Sequence, residues 1–221
     1  ECGTNLHQDD TSQDMRCYKC GEVLKYKNGI YFVRECSGSE NAQNTINEFG
    51  KRWNKVFHQM GGLKNFLLPM IEPVKKEFFK NKIIIDAGGG AGRLSKIMLD
   101  YGAKHIFLLD ASTAVQTAKE YLEDYSNRVT IIQCDITKPP LAENVFDIFF
   151  CHGVLHHTGE PERVIARMSQ SVIQDAGSMI LWVYAKEGNR ILSKCVQFAQ
   201  LFARLVGDKG RWILANMVDN F

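Results

Sequence analysis

The chain has no apolar run long enough to cross a membrane as a helix, and no charged-then-apolar leader with a cleavage site opens it. Those two absences make cytoplasmic residence the expectation and argue against a helical membrane span. An excess of one charge is missing too. With 27 Lys and Arg against 25 Asp and Glu, the formal net charge is +2, so no strong bulk field gathers nucleic acid. Nor is the composition that of a disordered chain. Of 221 residues, 45% are hydrophobic and 24% charged, enough apolar material to bury a sizeable core.

What is present is a glycine turn. Ile83-Ile84-Ile85-Asp86-Ala87-Gly88-Gly89-Gly90-Ala91-Gly92-Arg93-Leu94 passes from three β-branched residues, suited to a central parallel strand, through glycines into a helix. Glycines at alternate positions let the backbone turn sharply and pass close to a nucleotide-like ligand. A dinucleotide fingerprint needs a third glycine three residues after its second, and Arg93 stands there, so the spacing fits a dehydrogenase poorly.

Further strands are expected at His105–Asp110, Val129–Cys134, Val145–Cys151 and Ser178–Tyr184, with helices at Arg93–Tyr101 and Ser112–Tyr125 between the first of them. The first ends in Asp110. The next is followed by Asp135 and Ile136, and the third runs into His152-Gly153-Val154-Leu155-His156-His157. Any one such acid is equally well read as a cap on the turn that follows. Their order along the chain is what carries information.

Together these residues resemble the class I S-adenosylmethionine-dependent methyltransferases, whose first motif reads D/E-x-G-x-G-x-G. The resemblance covers roughly residues 81–187 and implies an α/β fold, a doubly wound Rossmann-like methyltransferase sheet. It implies S-adenosylmethionine held by Asp86, Gly88, Gly90 and Gly92 in the turn, by Asp110 on the ribose hydroxyls with Ala111 beside it, and by Asp135 and Ile136 around the adenine. The stretch from His152 looks like the LHH loop of many small methyltransferases, next to where the methyl group should point. In-line displacement at a sulfonium asks the enzyme for alignment and water exclusion rather than a nucleophile. A hydroxyl acceptor needs a base, for which His152, His156 and His157 are the candidates, although such histidines also pack or bond the backbone. His152 counts as a cofactor contact as well.

Seven cysteines divide by position. Cys134, Cys151 and Cys195 lie at strand ends or in an apolar helical run and read as small buried hydrophobes. Cys17-Tyr18-Lys19-Cys20-Gly21 has the spacing of a zinc knuckle, and an Asn28-Gly29 hairpin signal follows it within two short alternating runs. Cys2-Gly3 repeats the sense of Cys20-Gly21. The region resembles the zinc ribbon of the tRNA-methyltransferase-activator type, rubredoxin-like, which implies zinc on Cys2, Cys17, Cys20 and a fourth ligand before residue 1. Cys36 or His7 are alternatives for that fourth place, and unmetallated thiols are the other reading.

The expected organisation is a ribbon at 1–38, a helical linker or lid at 39–80, the cofactor domain at 81–187 and a helical acceptor-side segment at 188–221. Within the linker, Phe49, Trp53 and Phe57 recur at helical spacing. They read as core packing, or else as a lid that places Trp53 over the sulfonium, as the FGxxW element it resembles implies. An amphipathic helix is expected over 189–206, packing on the domain or on a second copy rather than on a membrane.

For the acceptor, a small molecule, sugar or lipid-linked hydroxyl comes first, which the loop type and ribbon fusion imply. RNA comes second, because residues 1–55 hold eight Lys/Arg and eight Asp/Glu where an RNA site wants a basic stripe. A non-catalytic scaffold comes third, opposed by the intact glycines and acids. No Asn/Asp-Pro-Pro-aromatic tetrapeptide follows the fourth strand, which leaves N-methylation poorly supported. No salt-steep RNA affinity is expected from so even a charge balance.

Overall fold

The computed structural model describes residues 6–8, 12–17, 19, 21–33, 50 and 74–183. Cys2, Cys20, Cys36, Trp53 and Cys195 lie outside them, as do the expected lid helix and the expected helix at 189–206. The chain divides into a unit at Glu1–Val183 and another at Tyr184–Phe221. All the described residues belong to the first.

The strands are β1 (His7–Gln8), β2 (Met15–Arg16), β3 (Val23–Lys27), β4 (Ile30–Val33), β5 (Ile83–Ala87), β6 (His105–Asp110), β7 (Val129–Gln133), β8 (Ile148–His152) and β9 (Ser178–Trp182). They form one sheet in the order β1-β2-β3-β4-β7-β6-β5-β8-β9. From β4 to β9 every pairing is parallel. The helices are α1 (Arg93–Asp100), α2 (Ala114–Tyr121) and α3 (Pro161–Ser171).

Burial explains why these segments became parallel strands. Ile84, Leu108, Ile131, Ile148 and Phe150 pack on one face of the sheet with Ile97 and Met98 of α1 and Val115 and Ala118 of α2. Ile85, Leu109, Ile132 and Phe149 pack on the other with Val164 and Met168 of α3. With both faces covered, alternation gives way to near-continuous apolar runs. Each such side chain taken from water contributes about 1.5–3 kcal/mol. Leaving β5, the chain moves outward through β6 and β7, then returns to β8 on the other side of β5. That reversal opens a crevice beyond the carboxyl ends of the strands, where an α/β sheet binds its ligands.

The main differences from the sequence reading concern β8, the helix after β6 and the N-terminal hairpin. β8 begins at Ile148 rather than Val145, because the Asp147 carboxylate accepts the Ile83 N–H at 2.8 Å and holds Lys82 Nζ at 3.2 Å before the ladder starts. The expected helix over 112–125 stops at Tyr121 and ends in a 3-10 turn, Glu123–Tyr125. Finally, the Asn28-Gly29 hairpin does not stand apart as a ribbon: β4 pairs in parallel with β7, Ile30 opposite Ile131 and Phe32 opposite Gln133. Residues 23–33 are therefore the continuation of the cofactor-domain sheet.

Candidate cofactor and acceptor site

Gly88 leaves β5 with φ of +79° and donates its N–H to the Leu109 carbonyl at 2.7 Å, which seats the turn where β5 and β6 both end. A Cβ at Gly88 would overlap the side chain of Val154, with Cγ1 at 2.7 Å. Gly90, at φ of +54°, is the opposite case. Among the described residues, a Cβ there would meet nothing nearer than Asp110 Oδ2 at 3.9 Å. The backbone at Gly90 thus faces open space beside a carboxylate, a cradle that a side chain would fill. Gly92 caps α1, accepting the Lys96 N–H on its carbonyl at 2.9 Å.

Asp110 closes β6 and is held from three directions. Its Oδ1 accepts the backbone N–H of Ser112 at 2.8 Å and the Ser112 hydroxyl at 2.6 Å, while Oδ2 accepts the Gly90 N–H at 2.9 Å. Burial raises its pKa, and the bonds from Ser112 and Gly90 oppose that. A carboxylate offers about four acceptor positions. The one left on Oδ2 suits a ribose hydroxyl, and a second hydroxyl can replace that of Ser112. Beside it, the Ala111 carbonyl accepts from Gln133 Nε2 at 3.1 Å, which ties the ends of β6 and β7 together.

Asp86 is 3% exposed and accepts the Ser95 hydroxyl at 2.5 Å. Burial pushes its pKa up to about 7, the Ser95 bond opposes the rise, and the nearby Asp110 carboxylate adds to it. A raised acid makes the fold favour the protonated form. Between the ordinary Asp range and pH 7 the folded chain binds a proton that the unfolded chain has released. Stability is therefore greatest on the acid side and falls by ~1.4 kcal/mol per pH unit until about pH 7, then levels. Asp86→Asn should flatten that decline in urea melts between pH 5 and 8. An unchanged slope would place the ionisation elsewhere.

Asp135 Oδ1 accepts the Thr137 N–H at 2.8 Å, so the carboxylate also caps its own turn. The Ile136 side chain packs into the core with Cys134 and Leu141. Any contact it makes with an adenine therefore runs through its main chain.

The histidines divide into two kinds. His152, expected in the loop, is the last residue of β8, because its partner in the ladder, Trp182, extends β9 to the same level. Its ring lies flat against the Trp182 indole, centroids 4.4 Å apart and planes 11° apart. Its Nε2 is buried without a hydrogen-bond partner among the described residues, an orphan that a bound group would satisfy. His156 and His157 are exposed on the 3-10 turn Leu155–His157, ring centroids 4.0 Å apart. Partial burial lowers the pKa of all three, and for His157 the neighbouring His156 lowers it further. All three imidazoles are therefore neutral at pH 7.

Sequence reasoning missed Ser95, Ser112, Gln133, Val154 and Trp182. Ser112 was available from spacing, since an Asp with Ser two residues on forms a local side-chain turn. Ser95 comes from the first turn of α1, and Gln133, Val154 and Trp182 are brought to the site by segments distant in sequence. At the expected metal site, Cys17 is buried and its carbonyl accepts the Gly21 N–H at 2.9 Å in a tight turn. Among the described residues no cluster of three or more His, Cys, Asp or Glu is gathered as a metal centre requires.

Residues 85–181 match the family profile described as "Methyltransferase domain". The chain is similar to protein arginine N-methyltransferase 1 of Saccharomyces cerevisiae, 38% identical over 60 residues, which is 26% of this chain and 17% of that protein. It is also similar to tRNA U34 carboxymethyltransferase of Vibrio cholerae, 29% identical over 141 residues, 61% of this chain and 41% of that protein. The chain spans less than half the length of these curated relatives. Among solved structures it is similar to the Trypanosoma brucei PRMT1 enzyme-prozyme heterotetrameric complex with AdoHcy, at 26% identity over 47% of this chain and 34% of that one, with a TM-score of 0.41. The family match covers residues 85–181, a little under half of the chain, and is to a methyltransferase domain over that segment.

Proposed function

We propose that the chain transfers the methyl group of S-adenosylmethionine to a hydroxyl-bearing acceptor. The observation that carries this reading is the open cradle at Gly90 set against the Asp110 carboxylate. Bound there, S-adenosylmethionine supplies a methyl already activated by its sulfonium. Asp110 and the Gly90 backbone hold the nucleoside end. Asp86 and Ser95 keep the turn in shape from beneath, and Asp135 and Ile136 after β7 serve the adenine side. At the far side of the crevice, His152, His156 and His157 offer neutral imidazoles that can take a hydroxyl proton.

The acceptor read first from the sequence is a small, sugar or lipid-linked hydroxyl, methylated on oxygen. RNA is the second reading, and one observation favours it: the even charge count of the first 55 residues is uneven in space, with Arg16, Lys25 and Lys27 on one face of the β2–β4 ribbon. The relatives' names point to two macromolecular acceptors, arginine in protein and tRNA. Structural zinc on Cys17, Cys20 and Cys2 is part of the same reading and rests on the C-x-x-C spacing alone. Cytoplasmic residence, and a homodimer or protein partner held through the ribbon or C-terminal helix, belong to the same reading.

Calorimetry tests the cofactor half. S-adenosylhomocysteine should bind, and Asp110→Ala should weaken it about 10- to 150-fold, equivalent to ~1.5–3 kcal/mol for charge-assisted hydrogen bonds. Unchanged affinity in the variant would remove the assignment.

A further inference from the structure

The ribbon that extends the sheet carries its positive charge on one face. Alternate residues of a strand share a face, and the register sets Arg16 opposite Val23, Lys25 opposite Phe32 and Lys27 opposite Ile30. All three cations therefore project on the side of Ile30 and Phe32, the side on which α2 packs. The other side carries Leu24, Tyr26, Tyr31 and Val33, none of them charged.

Between ribbon and helix lies a cavity of about 460 Å³, lined among the described residues by Lys25, Lys27, Asn28, Phe32 and Gln116. A second, of about 420 Å³, is lined by Arg16, Gly21, Val23 and Lys25. Lys25 lines both, so the two depressions adjoin along the cationic face as a trough. Lys119 of α2 adds a fourth cation, its stem passing close to Gly29. Asp14 compensates Lys25 at 2.7 Å. The acids at the end of α2, Glu120, Glu123 and Asp124, are not among the lining residues of either cavity.

The trough is level with the cofactor site. Lys25, Phe32, Gln133 and Asp110 occupy one row across β3, β4, β7 and β6, three strand spacings or about 14 Å from end to end. It lies on the adenine side, whereas the histidines stand at the end of β8, five spacings or about 24 Å from β3. A small anion gripped by the lysines would not reach them, but a polymer would. We propose that this trough holds the phosphodiester backbone of single-stranded RNA, with Phe32 available for a base to stack upon. The proposal rests on the methyl-transfer reading only for the acceptor's destination. It also reverses the ranking of acceptors drawn from the linear charge count.

Fluorescence anisotropy with a labelled 12-nucleotide uridine RNA tests it on the whole chain. Three uncompensated cations predict a log–log salt slope of about −2, so affinity should fall about 15-fold between 50 and 200 mM salt. Lys27→Gln with Lys119→Gln should make the slope shallower by about 1.4 and weaken binding at least tenfold at 50 mM. No RNA binding, or an unchanged slope in the double variant, would overturn the proposal. Equal binding of a 12-residue polyglutamate would overturn it too, by assigning the trough to acidic proteins, as would tighter binding of the matching DNA strand. A parallel S-adenosylhomocysteine titration separates the two readings. A chain that binds RNA this way but no cofactor keeps the docking site and loses the methyl-transfer assignment.

Discussion

In the His156→Gln/His157→Gln double variant, turnover with a hydroxyl acceptor should fall by about 100-fold or more, the lower end of what a positioned general base contributes. S-adenosylhomocysteine affinity should stay within about twofold, because neither ring belongs to the cradle built by Gly90 and Asp110. The two imidazoles stand 4.0 Å apart, and His156 disfavours a charge on His157. Their pKa values lie below the ordinary histidine value. A base works only when deprotonated, so wild-type kcat should be level on the alkaline side and decline as pH falls through the depressed pKa. The double variant should lose that acidic limb. If turnover is unchanged, His152 at the end of β8 becomes the candidate, its buried Nε2 being the one left to face the acceptor. A kcat loss without any change in the pH profile would mean the pair only shapes the turn.

Gly88→Ala should be the most damaging single change to the fold of the site. Two independent costs meet there. An L-residue at φ of +79° is disfavoured by ~1–2 kcal/mol, and the new methyl drives into Val154, adding about 1–3 kcal/mol of overpacking. A loss of about 2–5 kcal/mol should appear in urea melts and lower the melting temperature by about 10 °C. Cofactor binding should go with it, since the Gly88 amide anchors the turn to β6. Adding Val154→Ala should recover the overpacking share and leave the backbone share. If the double variant is no more stable than Gly88→Ala, the overlap with Val154 is not the cause.

The glycine turn and its acids were legible because strand, turn and helix follow one another within twelve residues. Ile83 to Leu94 carry the β-branched run, the positive-φ positions and the helix start in one window. Asp110 was legible for the same reason, as the polar end of an apolar run. Position in the ladder was not. His152 looks like a loop residue until Trp182, thirty residues on, pairs with it. Ser95 reaches Asp86 only because α1 folds back over β5. The largest difference concerns the ribbon. Asn28-Gly29 marks a hairpin locally, but nothing in the alternation of Val23–Val33 says that its outer edge will pair with β7, since parallel partners are chosen by long-range packing. The charge count hides placement in the same way. Eight positive and eight negative residues cancel in a list, but not on a pleated ribbon that sends Arg16, Lys25 and Lys27 to one side.

The pairing of Ile30–Phe32 with Ile131–Gln133 also has a consequence for the order of events on the ribosome. The hairpin emerges about 100 residues ahead of its partner, and at roughly 5–20 residues per second that is a wait of about 5–20 s. For that interval a strand edge bearing Ile30, Tyr31 and Phe32 has no neighbour to close it. Such an edge is open to association with other nascent chains, so yield during synthesis should depend on translation speed and on early holding chaperones more than on the stability of the finished sheet.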